Sequence, residues 1–246
     1  LKAMDYRLVT GDTDPAGAER FHSEVLYRLP RSLWCYRPAG DNPEVNPTLP
    51  LERHGVITFG SLNNLAKLSE ATLLSWSEIL KAVPGARLVL SNLPEGQARA
   101  GLRSRLAAQG IGSERLVLHG KLPQEAYYGL LNEIDIALDP YPYNGTTTTC
   151  QSLWMGIPVV SLIGESSVSR AGYALLKAIG LEGLAGRDEA EYIGIATALA
   201  GDVPRLRALR STLRERMVAS VLRDEAGFTR ELEEAYRTMW RQWCLA

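Results

Sequence analysis

The stretch Ile134-Asp135-Ile136-Ala137-Leu138-Asp139-Pro140-Tyr141-Pro142-Tyr143-Asn144-Gly145-Thr146-Thr147-Thr148-Thr149-Cys150 decides how the chain is read. Its first five residues form a short apolar run, as a buried strand requires. An Asn-Gly turn follows, then four threonines, then an apolar helical pattern. Threonine suits a helix interior poorly because its branched Cβ restricts χ1. At a helix N-terminus its hydroxyl can cap a free backbone N–H. A helix start that gathers several hydroxyls and free N–H groups is also a ready anion site. A plain cap with surplus threonines is the simpler alternative, although a cap needs only one hydroxyl.

Strand and helix patterns alternate on both sides of this unit. Residues 55–60, 86–90, 116–119, 134–138 and 158–162 read as strands. Residues 69–83, 95–109, 124–132, 147–155, 169–179 and 189–199 read as helices. The tail, 204–240, reads as two more helices. Short apolar strands between amphipathic helices predict an α/β fold, a Rossmann-like parallel sheet with helices on both faces and a helical C-terminal tail. Such a sheet binds ligands beyond the carboxyl ends of its strands. Every polar candidate segment falls there: 61–67, 120–127, 139–149 and 164–170.

Residues 1–40 read as one strand, 6–10, and one helix of about a dozen residues opened by Asp14-Pro15. A Pro-rich stretch with Pro38, Pro43, Pro47 and Pro50 follows. It has the composition of a linker or an exposed crossing loop. The boundary is placed at 41–53, with one domain over 54–246. The chain opens on Leu1 rather than Met, which reads as a piece of something longer.

Composition narrows the functional classes. Hydrophobic residues make up 46% of the chain and charged ones 22%, enough apolar material for a core. A net charge of -1 offers no electrostatic case for nucleic acid or an acidic membrane surface. Cys35, Cys150 and Cys244 are odd in number and far apart, so neither a disulfide frame nor a zinc site is indicated. A reducing, cytoplasmic setting fits. No run of eighteen apolar residues and no signal peptide is visible.

Lys67 follows a small polar segment after a strand, where its ammonium can reach a diphosphate as a point charge. Asn64 can add an amide donor. The bland alternative is a solvated lysine at a helix start. In Leu122-Pro123-Gln124-Glu125-Ala126-Tyr127, Tyr127 either stacks on a flat base or forms part of a helix face with Tyr128. Residues 164–170 either touch a sugar or form an ordinary capped loop. Asp135 and Asp139 lie at strand ends, and Asp139 reads as a turn former before Pro140. His22, His54 and His119 are scattered without metal spacing. Serine-hydrolase and dinucleotide fingerprints are absent.

Taken together, Phe59-Gly60-Ser61-Leu62-Asn63-Asn64-Leu65-Ala66-Lys67 and the run 143–158 resemble the catalytic region of the protein O-linked N-acetylglucosamine transferase family, including its SPINDLY branch. Met4-Asp5-Tyr6 with Pro15, and 164–170, are similar to that family too. The resemblance implies the C-terminal half of a GT-B glycosyltransferase, in which two Rossmann-like domains face each other across a cleft. Residues 1–40 would then be a remnant of the N-terminal domain. It also implies an inverting transfer of a sugar from a nucleotide diphosphate to a protein Ser or Thr, with no metal or other cofactor. Lys67 takes the catalytic role by position, beside Asn64 at the diphosphate. Thr146, Thr147 and Thr148 match a His-Thr-Thr helix start with Thr in place of His. Tyr127 and Leu122 fall at the base, Gln124 is counted with the nucleotide-sugar-binding residues, and Gln151 stands where an acidic residue binds the ribose. The wider family implies UDP-N-acetylglucosamine as donor, whereas the SPINDLY-like threonine run implies GDP-fucose. A non-catalytic nucleotide-binding module is the reading from another class. Acceptor selection would lie in upstream tetratricopeptide repeats, with no nucleic acid or membrane partner.

Overall fold

The structure, a computed structural model, describes residues 3–40 and 42–245. In chain order, β1 (Tyr6–Val9) leads through a 3-10 turn (Ala18–Phe21) to β2 (Val25–Arg28). Helix α1 (Pro50–His54) precedes β3 (Thr58–Ser61). Then come α2 (Glu70–Ala82), β4 (Arg87–Leu90), α3 (Gln97–Ala108), β5 (Leu116–Leu118), α4 (Gln124–Leu131), β6 (Ile136–Leu138) and α5 (Thr147–Trp154). They are followed by β7 (Val159–Leu162), α6 (Ala171–Lys177), β8 (Ala185–Gly186), α7 (Glu189–Gly201), α8 (Val203–Val218) and α9 (Glu225–Leu245).

Strands β3 to β8 form one parallel sheet in the order β5-β4-β3-β6-β7-β8. The chain winds outward from β3 to β5, returns to pair β6 against β3, and winds outward the other way. Phe59 lies beside Ile136 and Gly60 beside Ala137 at that junction. Apolar residues dominate the strand centres because helices cover both faces: Phe59, Leu88, Ile136 and Val160 are all fully buried. Helices α2 and α7 meet over the sheet, where the buried Trp76 Nε1 donates to Tyr192 Oη at 2.9 Å.

Two corrections concern the outer elements. The helix expected after Asp14-Pro15 does not form. Gly17 takes φ 89°, a left-handed conformation that stops helix propagation, and only the single 3-10 turn follows. Val25–Arg28 instead pairs in parallel with β1, which satisfies the backbone groups along one of its edges. Strand β8, two residues long, was too short to show a period.

The Pro-rich stretch packs onto the domain. Leu49 is buried, and Arg210 of α8 donates to the Asn46 carbonyl at 2.7 Å and the Ile134 carbonyl at 3.2 Å. Asp135 secures the same region, with Oδ1 accepting from Leu51 N at 3.0 Å and Oδ2 from Thr58 N at 2.9 Å. Asp135 is therefore a buried structural acceptor beside β6. Replacing it by alanine strands one buried and one half-buried N–H group, so Asp135→Ala is expected to cost about 2–4 kcal/mol in a urea unfolding titration. A loss below about 0.5 kcal/mol, the scale of an ordinary surface substitution, would refute this role.

Candidate functional site

The crevice between the loops after β3 and β6 collects most of the candidate residues, because the chain turns to opposite sides of the sheet on either side of this pair. Lys67 ends a 3-10 turn (Leu65–Lys67) after β3. Its Nζ donates to the Asn144 carbonyl at 2.8 Å and lies 4.2 Å from the centre of the Tyr143 ring. Asn64 caps that turn, its Oδ1 accepting from Ala66 N at 2.9 Å, so its amide NH2 is the group left to meet a ligand.

The loop 139–146 is held from all sides. Asp139 Oδ1 accepts from Gly145 N at 2.6 Å, and Oδ2 accepts from Ser161 Oγ at 2.8 Å. The fully buried Asn144 donates through Nδ2 to the Pro140 carbonyl at 3.0 Å and accepts through Oδ1 from Gly172 N at 3.2 Å. Thr72 of α2 accepts from Tyr141 N at 2.9 Å and donates to its carbonyl at 2.6 Å. Gly145 must lack a side chain, since a Cβ there would stand 2.5 Å from Thr148 Oγ1 and 2.6 Å from Thr149 Oγ1.

The threonines do not cap their own helix. Thr146 occupies the N-cap position without a side-chain cap hydrogen bond. Thr148 Oγ1 donates instead to Asn63 Oδ1 at 2.8 Å, tying α5 to the loop after β3. Thr147 is exposed and Thr146 half-buried. The first intrahelical donor is Cys150 N, to the Thr146 carbonyl, so the first-turn N–H groups before it face outward with the positive end of the helix dipole.

The other candidates divide. Tyr127 Oη donates to Gln151 Oε1 at 2.7 Å, which joins α4 to α5 and leaves the Gln151 amide free to donate. Leu122 is half-exposed in the loop before α4. Gln124 Nε2 donates to the Ala39 carbonyl at 3.3 Å. The 164–170 loop is self-capped through Ser166 and Ser169, and Arg170 Nε donates to the Asp12 carbonyl at 2.7 Å.

Burial drives the electrostatics. It pushes the Asp139 carboxyl up to about 7, against the opposing pull of Gly145 N–H, Ser161 Oγ and Lys67. Burial also lowers the Lys67 ammonium, while Asp139 opposes that shift. Sequence reasoning missed Asn63, Tyr143, Asn144 and Ser161. Asn144 stood inside the quoted motif, but a turn role accounts for any Asn before Gly. Ser161 lies within a strand and carries no local signal.

Residues 48–232 match the model of Glycosyl transferase family 41. The chain is 42% identical, over 99% of its length, to a protein of Solanum lycopersicum named probable UDP-N-acetylglucosamine–peptide N-acetylglucosaminyltransferase SPINDLY, and covers 26% of that relative. A lysine-to-methionine mutant of Thermobaculum terrenum O-GlcNAc transferase superposes with a TM-score of 0.91 at 36% identity, over 100% of this chain and 46% of that one. WaaG, a glycosyltransferase of lipopolysaccharide biosynthesis, shares the fold at TM-score 0.59 and 11% identity, over 93% of this chain and 61% of that one. The chain thus has the fold of a GT-B glycosyltransferase domain and spans about a quarter of the length of its curated plant relative.

The Asp139 shift sets a pH dependence. An unfolded aspartate loses its proton near pH ~4, whereas the folded one holds it to about 7. The stability that the neutral carboxyl contributes is full below the unfolded value and is lost as pH rises through about 7. The melting temperature is expected to fall between roughly pH 4 and 7, and Asp139→Asn to flatten that slope. Equal slopes in the two proteins, measured by thermal scans, would contradict the assignment.

Proposed function

The chain belongs to glycosyl transferase family 41, and we propose that it is the donor-binding domain of a nucleotide-sugar-dependent protein O-glycosyltransferase. The observation that carries this reading is the meeting of Lys67 with the open start of α5 across the β3–β6 crevice, joined through the Asn144 carbonyl. Two sources of positive potential there suit a diphosphate.

In this reading the acceptor hydroxyl oxygen bonds to the anomeric carbon, inverting it. The bond from that carbon to the β-phosphate oxygen breaks, and the diphosphate leaves with the electron pair. Its gain of negative charge is met by Lys67 and by the first-turn N–H groups and hydroxyls of Thr146, Thr147 and Thr148, without a metal or other cofactor. Tyr127 and Gln151 form the nucleoside end, with Leu122 at the base edge, and Asn64 lies beside the diphosphate. Gln124 is left out of that end because its amide is engaged by Ala39.

The base that takes the hydroxyl proton, and the surface that selects the protein acceptor, lie outside this chain in the proposal. Residues 3–40, with their two-stranded parallel sheet, belong to the facing domain, because a parallel pair is stable as part of a larger covered sheet. Among the described residues no helix is long and apolar enough to cross a membrane, and the proposed setting is the cytoplasm.

UDP-N-acetylglucosamine is the donor proposed first, in keeping with the name of the tomato relative. Thr146 and Gln151, where the resemblance has His and an acidic residue, make GDP-fucose the second. Calorimetric titration with UDP, GDP and their sugars separates the two. Binding of neither nucleotide by the full-length protein would sink the donor-site reading. In the same protein Lys67→Ala is expected to lower turnover about tenfold or more, and an unchanged rate would remove its assigned role.

A further inference from the structure

We propose that Asp139 is a positioning residue for the departing diphosphate, acting on Lys67 through the single peptide group between Asn144 and Gly145. The proposal rests on the donor-site reading above. On one side of that peptide, Gly145 N–H donates to Asp139 Oδ1 at 2.6 Å. On the other, its carbonyl, that of Asn144, accepts from Lys67 Nζ at 2.8 Å. A peptide group is planar, with its N–H and C=O pointing opposite ways. Above about pH 7, where Asp139 is ionised, an anionic acceptor at one end and a cationic donor at the other therefore fix which way it faces. Turned over, it would set a carbonyl against the buried carboxylate and an N–H against the ammonium, both repulsive. Two charge-assisted hydrogen bonds in line also polarise the group between them, which strengthens each.

The carboxylate is itself immobilised. Its second oxygen holds Ser161 Oγ at 2.8 Å, and a Cβ at Gly172 would press on both Ser161 Oγ and Asp139 Oδ2. Asp139 is 2% exposed, so it does not reach a ligand in the crevice. Its influence passes through the peptide to Lys67, whose ammonium is the group placed at the diphosphate. Burial that pushes a carboxyl up to about 7 is a costly way to close a turn, and an asparagine of the same shape could accept from Gly145 N–H alone. The charge has a use only if something beyond the turn responds to it, and Lys67 is that group. The other charged and titratable groups near the carboxyl are the Tyr192 hydroxyl, which donates to the Asp139 carbonyl at 3.3 Å, and Arg187, Asp188 and Glu189 across the cavity that Asp139 shares with α2 and α7.

The test measures sugar transfer by the full-length protein carrying Asp139→Asn, Lys67→Met or both. Each single change is expected to lower kcat about tenfold or more, while KM for the nucleotide sugar moves far less. The double variant should be no slower than Lys67→Met, since both changes remove one unit. Losses that multiply in the double variant would show Asp139 acting elsewhere and overturn the proposal. A slow Lys67→Met beside an Asp139→Asn of wild-type rate would overturn it alone and leave the donor site standing. A Lys67→Met of wild-type rate would overturn both. If Asp139→Asn does not fold, Ser161→Ala replaces it. Loss of one donor to the carboxylate should move the acid limb of kcat to higher pH, and an unmoved limb would refute the positioning role.

Discussion

Between β3 and β6 the winding of the sheet reverses, and the geometry of the site depends on that single junction. Elsewhere a helix returns over the edge of its own strand and closes the space above it. At the reversal the chain leaves β3 and β6 in opposite directions, and a crevice remains above their carboxyl ends. The loop 62–67 and the loop 139–146 are both forced into its rim. Apolar pairing below them, Phe59 beside Ile136 and Gly60 beside Ala137, sets their relative height. An error of one residue in that register would turn each strand's side chains to the opposite face.

The loop after β6 is built to resist movement while its helix start stays open. Thr72, Asn144, Ser161 and Asp139 supply or receive hydrogen bonds along it, so the loop is held in place without a cap on α5. Capping threonine hydroxyls would fill the first-turn donors and stabilise the helix by about 1 kcal/mol. Here Thr148 spends its hydroxyl on Asn63, and those donors stay available. The arrangement gives up local helix stability and leaves the helix start open, the feature on which the proposed diphosphate site rests.

The alternation of strands and helices was legible in the sequence from 55 onward, because apolar runs of strand length and helical periods differ clearly there. The start signals at Asp14-Pro15 misled, because a local pattern could not reveal that Val25–Arg28 had β1 as a partner. Asp135 and Asp139 looked alike as strand-end acids. One receives two backbone N–H groups from the segment leading into β3, and the other orients a turn against a lysine. Only their neighbours distinguish them. Gln124 illustrates the reverse case: a position inherited from a resemblance, whose amide is engaged by a carbonyl of the Pro-rich stretch.

By itself the sequence determined the α/β class, the polar segments at strand ends, the threonine-rich helix start and the likeness to family 41. These rest on periods, propensities and motifs contained within a few consecutive residues. Tertiary structure decided what those segments do to one another. Lys67 and Asn144 are 77 positions apart, and Asp139 and Ser161 are 22 apart. Their hydrogen bonds exist because strand order brings separate loops to one rim, and strand order is set by the packing of the whole sheet.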